Sequence, residues 1–142
     1  MGSLKYIGLD YGSKTVGVAL SDDTGTLVRG AEVIRRKHEK RLRQTCARIE
    51  EIIVTEGVRE IVLGLPLNMD GTEGERAEKT RDFGEMLARR TGLPVHFCDE
   101  RLTTEEAYER MDEAGIRGRK QREGLVDSVA AAVILEDFLN HG

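Results

Sequence analysis

Short apolar segments occupy the first third of this 142-residue chain. They predict strands over residues 6–9, 15–20 and 28–34, because turn residues interrupt the chain between them. Short turns rich in Gly, Asp and Lys separate these segments, as is typical of hairpins. We therefore expect the three strands to pair in antiparallel order.

The pattern changes to a helical period after residue 40. Leu42, Cys46, Ile49 and Ile53 recur every three to four residues, and Gly57 provides a stop for this first helix. Two short apolar segments follow, residues 61–65 and 93–98, and each has the length of a buried parallel strand.

Three further helices are predicted around these two strands. Thr72 with Glu75 and Thr103 with Glu106 have the spacing of a capping box, which predicts helix starts near residues 72 and 103. These two helices are expected to end at Gly92 and at Gly115. The last helix, residues 125–139, is apolar over most of its circumference, as expected of a helix packed closely on a sheet.

The order of these elements predicts an α/β fold in one domain over residues 1–142. Opening hairpins imply antiparallel pairing, whereas helix-bridged crossovers imply parallel pairing. The expected sheet is therefore mixed and five-stranded, with three antiparallel strands, then two parallel ones, and helices on both faces. A chain of this length suits a single core and is short for two.

Composition narrows the class of protein. With 39% hydrophobic and 34% charged residues the chain resembles a soluble globular protein, and no apolar run approaches the roughly 20 residues of a membrane span. No signal peptide is visible. Cys46 and Cys98 lack the spacing of a zinc site or a disulfide framework, which indicates a reducing cytoplasm. The three histidines are scattered, so a histidine-based metal site has little support.

The net charge of -4 argues against a protein that coats nucleic acid by bulk electrostatics. Two local basic runs stand out nevertheless, and a solvated surface explains either of them as well as a binding role does. The first run contains Arg35, Arg36, Lys37, Lys40, Arg41 and Arg43; the second contains Arg117, Arg119, Lys120 and Arg122.

Acidic residues at the ends of different predicted elements are the main candidates for chemistry. Asp10 follows one apolar strand, Asp99 and Glu100 follow another, and Asp127 lies on the apolar stripe of the last helix. A carboxylate in such a position costs free energy to desolvate, and a hydrogen-bond network or a divalent cation compensates that cost. Functional groups of such sheets collect beyond the carboxyl ends of parallel strands. These acids therefore predict a Mg²⁺ or Mn²⁺ site.

A pair of such ions can activate water and stabilise the leaving oxygen of a phosphodiester without a protein nucleophile. The prediction is a metal-dependent nuclease with a two-metal-ion mechanism. Two of the acids also have structural explanations that require no metal ion. Asp127 in the first turn of its helix would complement the helix dipole, and Asp70 in the turn before Gly71 would form an Asx-turn. Asp70 is accordingly left outside the predicted site.

Four sequence motifs, in this order, resemble those of the bacterial RuvX/YqgF family, whose members are described as candidate Holliday junction resolvases and as pre-16S ribosomal RNA nucleases. The resemblance spans almost the whole chain. The motifs are Gly8-Leu9-Asp10-Tyr11-Gly12 with Gly17-Val18-Ala19 and Ser21-Asp22, residues 64–74, Asp99-Glu100-Arg101-Leu102-Thr103-Thr104, and Asp127 with Ala130-Ala131.

The resemblance implies a ribonuclease H-like fold and carries metal-binding roles onto Asp10, Glu100 and Asp127, and more weakly onto Asp99. It also implies a function in 5′-end processing of pre-16S rRNA or, alternatively, in resolving Holliday junctions during DNA recombination and repair. The chain departs from the family pattern at Lys14-Thr15-Val16 and at Cys98, which affects substrate contacts more than the metal site.

Substrate contacts are predicted at Lys14, Arg101, Arg119, Lys120 and Arg122. Few aromatic residues and no Trp argue against a stacking platform for single strands, so backbone contact to duplex or folded nucleic acid is expected. The sequence does not decide between RNA and DNA as the substrate, nor between a monomer and a homodimer.

Two other functions remain to be compared with a nuclease. Asp10-Tyr11-Gly12-Ser13-Lys14 before a hairpin also resembles the phosphate loop of the actin and sugar-kinase ATPases, but those proteins hold nucleotide between two lobes and this chain has residues for one. A nucleic-acid-binding ribosome-assembly factor that cleaves nothing is the second alternative.

Overall fold

The computed structural model describes the backbone of residues 4–100, 103–115 and 119–141, and side chains over the same ranges except residues 103, 104, 119–125 and 141. The described strands are β1 (Tyr6–Tyr11), β2 (Thr15–Ser21), β3 (Val28–Arg35), β4 (Glu60–Leu65) and β5 (Val95–Asp99). The described helices are α1 (Arg43–Glu56), α2 (Glu75–Thr91), α3 (Thr103–Glu113) and α4 (Arg119–His141). None of the described helices is long and apolar enough to cross a membrane.

The strands form one sheet in the order β3-β2-β1-β4-β5. Strand β2 pairs antiparallel with β1 and β3, whereas β4 pairs parallel with β1 and β5. This arrangement confirms the predicted mixed sheet. Because β1, β4 and β5 run in the same direction, their carboxyl ends meet at one edge of the sheet, which we call the C-edge.

Strand alternation gives the two faces of the sheet different partners. On the first face, Ile7, Leu9 and Tyr11 of β1 pack into a core with buried residues of α1 and α2 such as Ile49 and Phe83. The second face carries smaller residues, and Ala19 and Val62 pack there against a cluster of α4 residues. The cluster contains Ala131, Ala132, Ile134 and Leu135. The predicted placement of helices on both faces is thus confirmed.

The predicted capping box of Thr72 and Glu75 is wrong. Helix α2 begins at Glu75 after Gly74, and no side chain caps this end. The Thr72 hydroxyl instead donates to Asp70 Oδ1 at 2.6 Å, and Thr72 N donates to the same oxygen at 3.0 Å. Thr72 is therefore part of the Asx-turn expected of Asp70, and that turn competes successfully for the hydroxyl.

The predicted start of the last helix is also wrong. Helix α4 begins at Arg119 rather than at residue 125, so Asp127 lies eight residues into the helix. The helix-dipole explanation of Asp127 required the first turn, because the dipole effect falls off within that turn. It does not apply here. Two smaller differences concern β1, which includes Asp10, and β5, which begins at Val95 rather than at residue 93.

Candidate active site

Asp10 and Asp127 lie beside each other because β2 carries a glycine between them. Asp10 pairs across the β1–β2 ladder with Gly17. A Cβ atom at Gly17 would overlap the main-chain carbonyl of Asp127, so any larger residue there would push α4 off the sheet. The α4 backbone therefore rests directly on β2 at this position. This close contact places Asp127 next to the β1 residue Asp10.

Glu100 reaches the same place from the other side by crossing β4. It follows β5, and its backbone N–H donates to the carbonyl of Leu65 at 3.2 Å. Leu9 pairs with Leu63, so Gly64 is the next residue of β4 beside Asp10. A Cβ atom at Gly64 would lie 2.9 Å from Oε2 of Glu100. The absence of a side chain at Gly64 thus leaves room for the Glu100 carboxyl group.

The carboxyl groups of Asp10 and Glu100 lie close enough to interact, and each changes the pKa of the other. Burial is the main cause that raises the pKa of both groups, and the charge of Asp10 raises the pKa of Glu100 further, to about 9. A hydrogen bond between two carboxyl groups requires that one of them is protonated. Burial and the neighbouring charge of Asp10 favour the protonated form of Glu100.

Asp127 contributes a third negative charge, which raises the pKa of Asp10. Within the described ranges, no three His, Cys, Asp or Glu side chains come close enough together to hold a metal ion. The site is therefore a close pair of acids, Asp10 and Glu100, with a third acid beside it. Magnesium is commonly held by one or two carboxylates and keeps water or phosphate oxygens as its other ligands. These oxygen donors, one of which holds a proton that a cation could replace, fit such an ion.

Asp99 lies differently from the other three acids. Phe97 packs on the first face of the sheet and Cys98 on the second, so strand alternation directs Asp99 away from the α4 side. Its side chain is exposed, and its charge is the last of the causes that raise the pKa of Glu100. The role of Asp99 in metal binding stays a prediction.

Arg76, in the first turn of α2, is a site residue that the sequence analysis did not find. Its guanidinium donates to Glu39 Oε1 at 2.6 Å and to the carbonyl of Tyr11 at 3.3 Å. Its positive charge lowers the pKa of both Asp10 and Glu100 and so opposes the effect of burial. No sequence signal marks Arg76, because only the parallel connection from β4 to α2 brings it to the C-edge.

The structure describes some of the predicted substrate-binding residues and not others. Lys14 is exposed in the turn between β1 and β2, directly beyond the strand that carries Asp10. Arg101 lies outside the described residues. The backbone of Arg119, Lys120 and Arg122 belongs to the start of α4, and their side chains are outside the described part of the structure. All five assignments, Lys14 included, stay predictions.

A solved structure shares the fold of this chain. Thermus thermophilus RuvC in complex with a Holliday junction substrate superposes with a TM-score of 0.60 over 98% of each chain. The sequences are 17% identical, so this likeness concerns the fold alone. It agrees with the ribonuclease H-like fold expected from the sequence motifs.

Sequence comparisons identify the family. Curated proteins named "Putative pre-16S rRNA nuclease" from Agathobacter rectalis and Lachnospira eligens are 56% and 52% identical to this chain. The first alignment covers 97% of this chain and 96% of the relative, and the second covers 96% of each. The profile of the RuvX family, described as Holliday junction resolvase, matches residues 4–141. The chain therefore belongs to the RuvX family.

Proposed function

We propose that this protein is a metal-dependent nuclease that hydrolyses phosphodiesters of structured nucleic acid in 5′-end processing of pre-16S rRNA. The observation that carries the proposal is the convergence of Asp10 and Glu100, with Asp127 beside them, over the glycines Gly17 and Gly64. Two carboxyl groups are rarely brought together in a partly buried position without a function, because their desolvation and mutual repulsion destabilise the fold. Placement at the C-edge supports the same conclusion.

Asp10, Glu100 and Asp127 would hold Mg²⁺ or Mn²⁺. Bound divalent ions supply an activated water and stabilise the charge that develops on the leaving oxygen of a phosphodiester. On metal binding Glu100 would release its proton to solvent, and Asp10 and Glu100 would then both offer carboxylate oxygens. Arg76 offsets part of the negative charge, which favours the ionised forms that metal binding requires.

The remaining groups of the C-edge support binding of a phosphate backbone. Lys14 projects from the turn beyond β1 and can pair with a phosphate close to the reacting one. No protein nucleophile is needed, because water attacks the phosphorus. The protein's part in the reaction is to position the acids and the substrate and to keep the acids partly desolvated.

The names of the relatives favour precursor rRNA as the substrate. The description of the family favours a second candidate, the four-way DNA junction. A cytoplasmic location is part of either proposal. A nucleotide-splitting ATPase of the actin and sugar-kinase type is disfavoured, since the RuvX profile accounts for residues 4–141.

A cleavage assay tests the proposal. Purified protein is incubated with Mg²⁺ or Mn²⁺ and matched junction, duplex and precursor-rRNA substrates. Asp10→Asn, Glu100→Gln and Asp127→Asn should each abolish cleavage while substrate binding persists. Asp82→Asn is a matched control, because Asp82 is an exposed acid on α2. Full activity in all three site variants would overturn the nuclease proposal. Binding without cleavage by the wild-type protein would instead support an assembly factor.

A further inference from the structure

We propose that the basic segment between β3 and α1 binds backbone phosphates and extends the substrate site beyond the acids. The basic segment is defined here as Arg35, Arg36, Lys37, Lys40, Arg41 and Arg43. The inference rests on the proposed function to the extent that it takes the substrate to be a nucleic acid. It adds a second contact surface to the acids and Lys14.

A cavity of about 400 Å³ lies at this segment. Four of its lining residues belong to the basic segment, namely Arg35, Arg36, Lys37 and Arg41, and His38 lies among them. Among the described residues, no Asp or Glu lines the cavity. A concave surface with positive charge only is suited to an anion, and a phosphate group is far smaller than this volume.

The positive charge of the segment is not neutralised within the described part of the chain. Most arginines elsewhere have carboxylate partners, such as Arg48 with Glu32 and Arg90 with Glu50. None of the six cations of the basic segment has a described carboxylate within 4.0 Å. The nearby Glu39 is paired with cations of α2 instead. The segment therefore offers unpaired cations to a ligand.

The start of α1 adds to the positive electrostatic potential at this cavity. The helix follows Leu42, has no side-chain cap and carries no acid in its first turn. Gln44 and Thr45 of that turn line the same cavity. Orphan N–H groups and the positive end of a helix dipole favour an anion, and here they act together with the arginines and Lys37.

Arg36 holds the basic segment against the turn that follows Asp10. Its backbone N–H donates to the carbonyl of Lys14 at 2.8 Å, and its Nη2 donates to the carbonyl of Gly12 at 2.6 Å. The guanidinium also lies 4.9 Å from the centre of the Tyr11 ring. These acceptors are uncharged, so Arg36 keeps its full positive charge while it connects the two structures. A backbone that reaches the acids would consequently pass close to the basic segment.

The test measures binding in EDTA, where cleavage cannot occur. A triple variant, Arg35→Gln, Lys37→Gln and Arg41→Gln, removes three exposed cations and leaves Arg36 in place. Each phosphate contact contributes about 0.9 to the slope of log affinity against log salt on duplex DNA, so the slope should fall by about 2.7. Affinity at low salt should fall at least tenfold. A variant that exchanges Arg and Lys at the three positions should keep the wild-type slope.

The control variant removes the same charge from the opposite end of the sheet. Arg29→Gln, Arg59→Gln and Arg89→Gln replace exposed cations near the start of β3, the start of β4 and the end of α2. Its slope should stay close to that of the wild type. Equal slopes for the two triple variants would overturn the inference, even if the wild type cleaves. A slope loss confined to the first variant in a protein that never cleaves would sustain the inference and overturn the nuclease proposal alone.

Discussion

The carboxyl group of Glu100 lies over the α-carbon of Gly64, in space that a side chain would fill. A Cβ atom at Gly64 would stand 2.9 Å from Glu100 Oε2 and 2.5 Å from Ile134 Cδ1. Gly64 therefore serves the site and the packing of α4 at once. The relationship explains how an acid from β5 reaches an acid on β1 across the intervening strand.

Gly64→Ala should separate Glu100 from Asp10 and strain the contact with α4. We expect a loss of unfolding free energy of about 1–3 kcal/mol, typical of overpacking, together with weaker Mg²⁺ binding. Chemical denaturation and metal titration by calorimetry measure the two effects. Gly74→Ala is the control, because its new Cβ would meet atoms no nearer than 3.5 Å. Wild-type metal affinity in Gly64→Ala would show that the close approach is unimportant.

Gly17→Ala should destabilise the protein more than Gly64→Ala does. The added methyl group would overlap backbone atoms of Asp127, and a backbone moves less easily than a side-chain end. We expect a loss at or above about 3 kcal/mol, the upper end of the usual range for overpacking. Urea denaturation followed by circular dichroism gives the value. Equal stability of the two glycine variants would mean that α4 shifts on the sheet at little cost.

The pH dependence of stability should report the proton on Glu100. Its pKa is raised from the ordinary 4.5 to about 9, so the folded, metal-free protein keeps a proton that the unfolded chain releases. This contribution to stability is fully present below pH 4.5 and is lost as the pH rises toward 9. Glu100→Gln cannot lose that proton, and its Tm relative to wild type should rise with pH in EDTA.

Differential scanning calorimetry from pH 5 to pH 9 measures this difference. Addition of Mg²⁺ at pH 8 should raise the Tm of the wild type and leave Glu100→Gln nearly unchanged, because the neutral amide is a poor ligand. Parallel Tm curves for the two proteins across this range would contradict the retained proton on Glu100.

The second basic run provides a separate prediction about nucleic acid. Replacing Arg119, Lys120 and Arg122 with Gln should weaken binding and flatten its salt dependence, since each lost phosphate contact removes about 0.9 from the slope on duplex DNA. Fluorescence anisotropy at several salt concentrations measures the slope. An unchanged slope would indicate that these residues are solvated at the start of the helix and do not contact phosphates.

Much of the fold follows from the sequence because the periodic signals are strong. Ile7, Leu9 and Val18 alternate with small or polar residues, and alternation together with short turns fixes the hairpins. The convergence of Asp10 and Glu100 was predictable as well, because parallel strands deliver their carboxyl ends to one edge. The motif resemblance pointed to the same two residues.

The features that escaped prediction depend on contacts between distant residues. The first turns of α4 are polar and lack an apolar stripe, so no period marked the helix start at Arg119. The hydroxyl of Thr72 had two possible partners, and local sequence does not decide between a helix cap and an Asx-turn. The roles of Gly17, Gly64 and Arg76 required the strand register and the position of α2.

The packing of α4 on β2 has a consequence for the folding of the newly synthesised chain. Residues 119–141 are translated after all five strands, so Asp127 is the last of the three acids to be synthesised. Until that last helix docks, the pair of acids lacks its third member and the second face of the sheet is uncovered. Docking of α4 therefore supplies the last acid and covers the second face of the sheet in the same folding step.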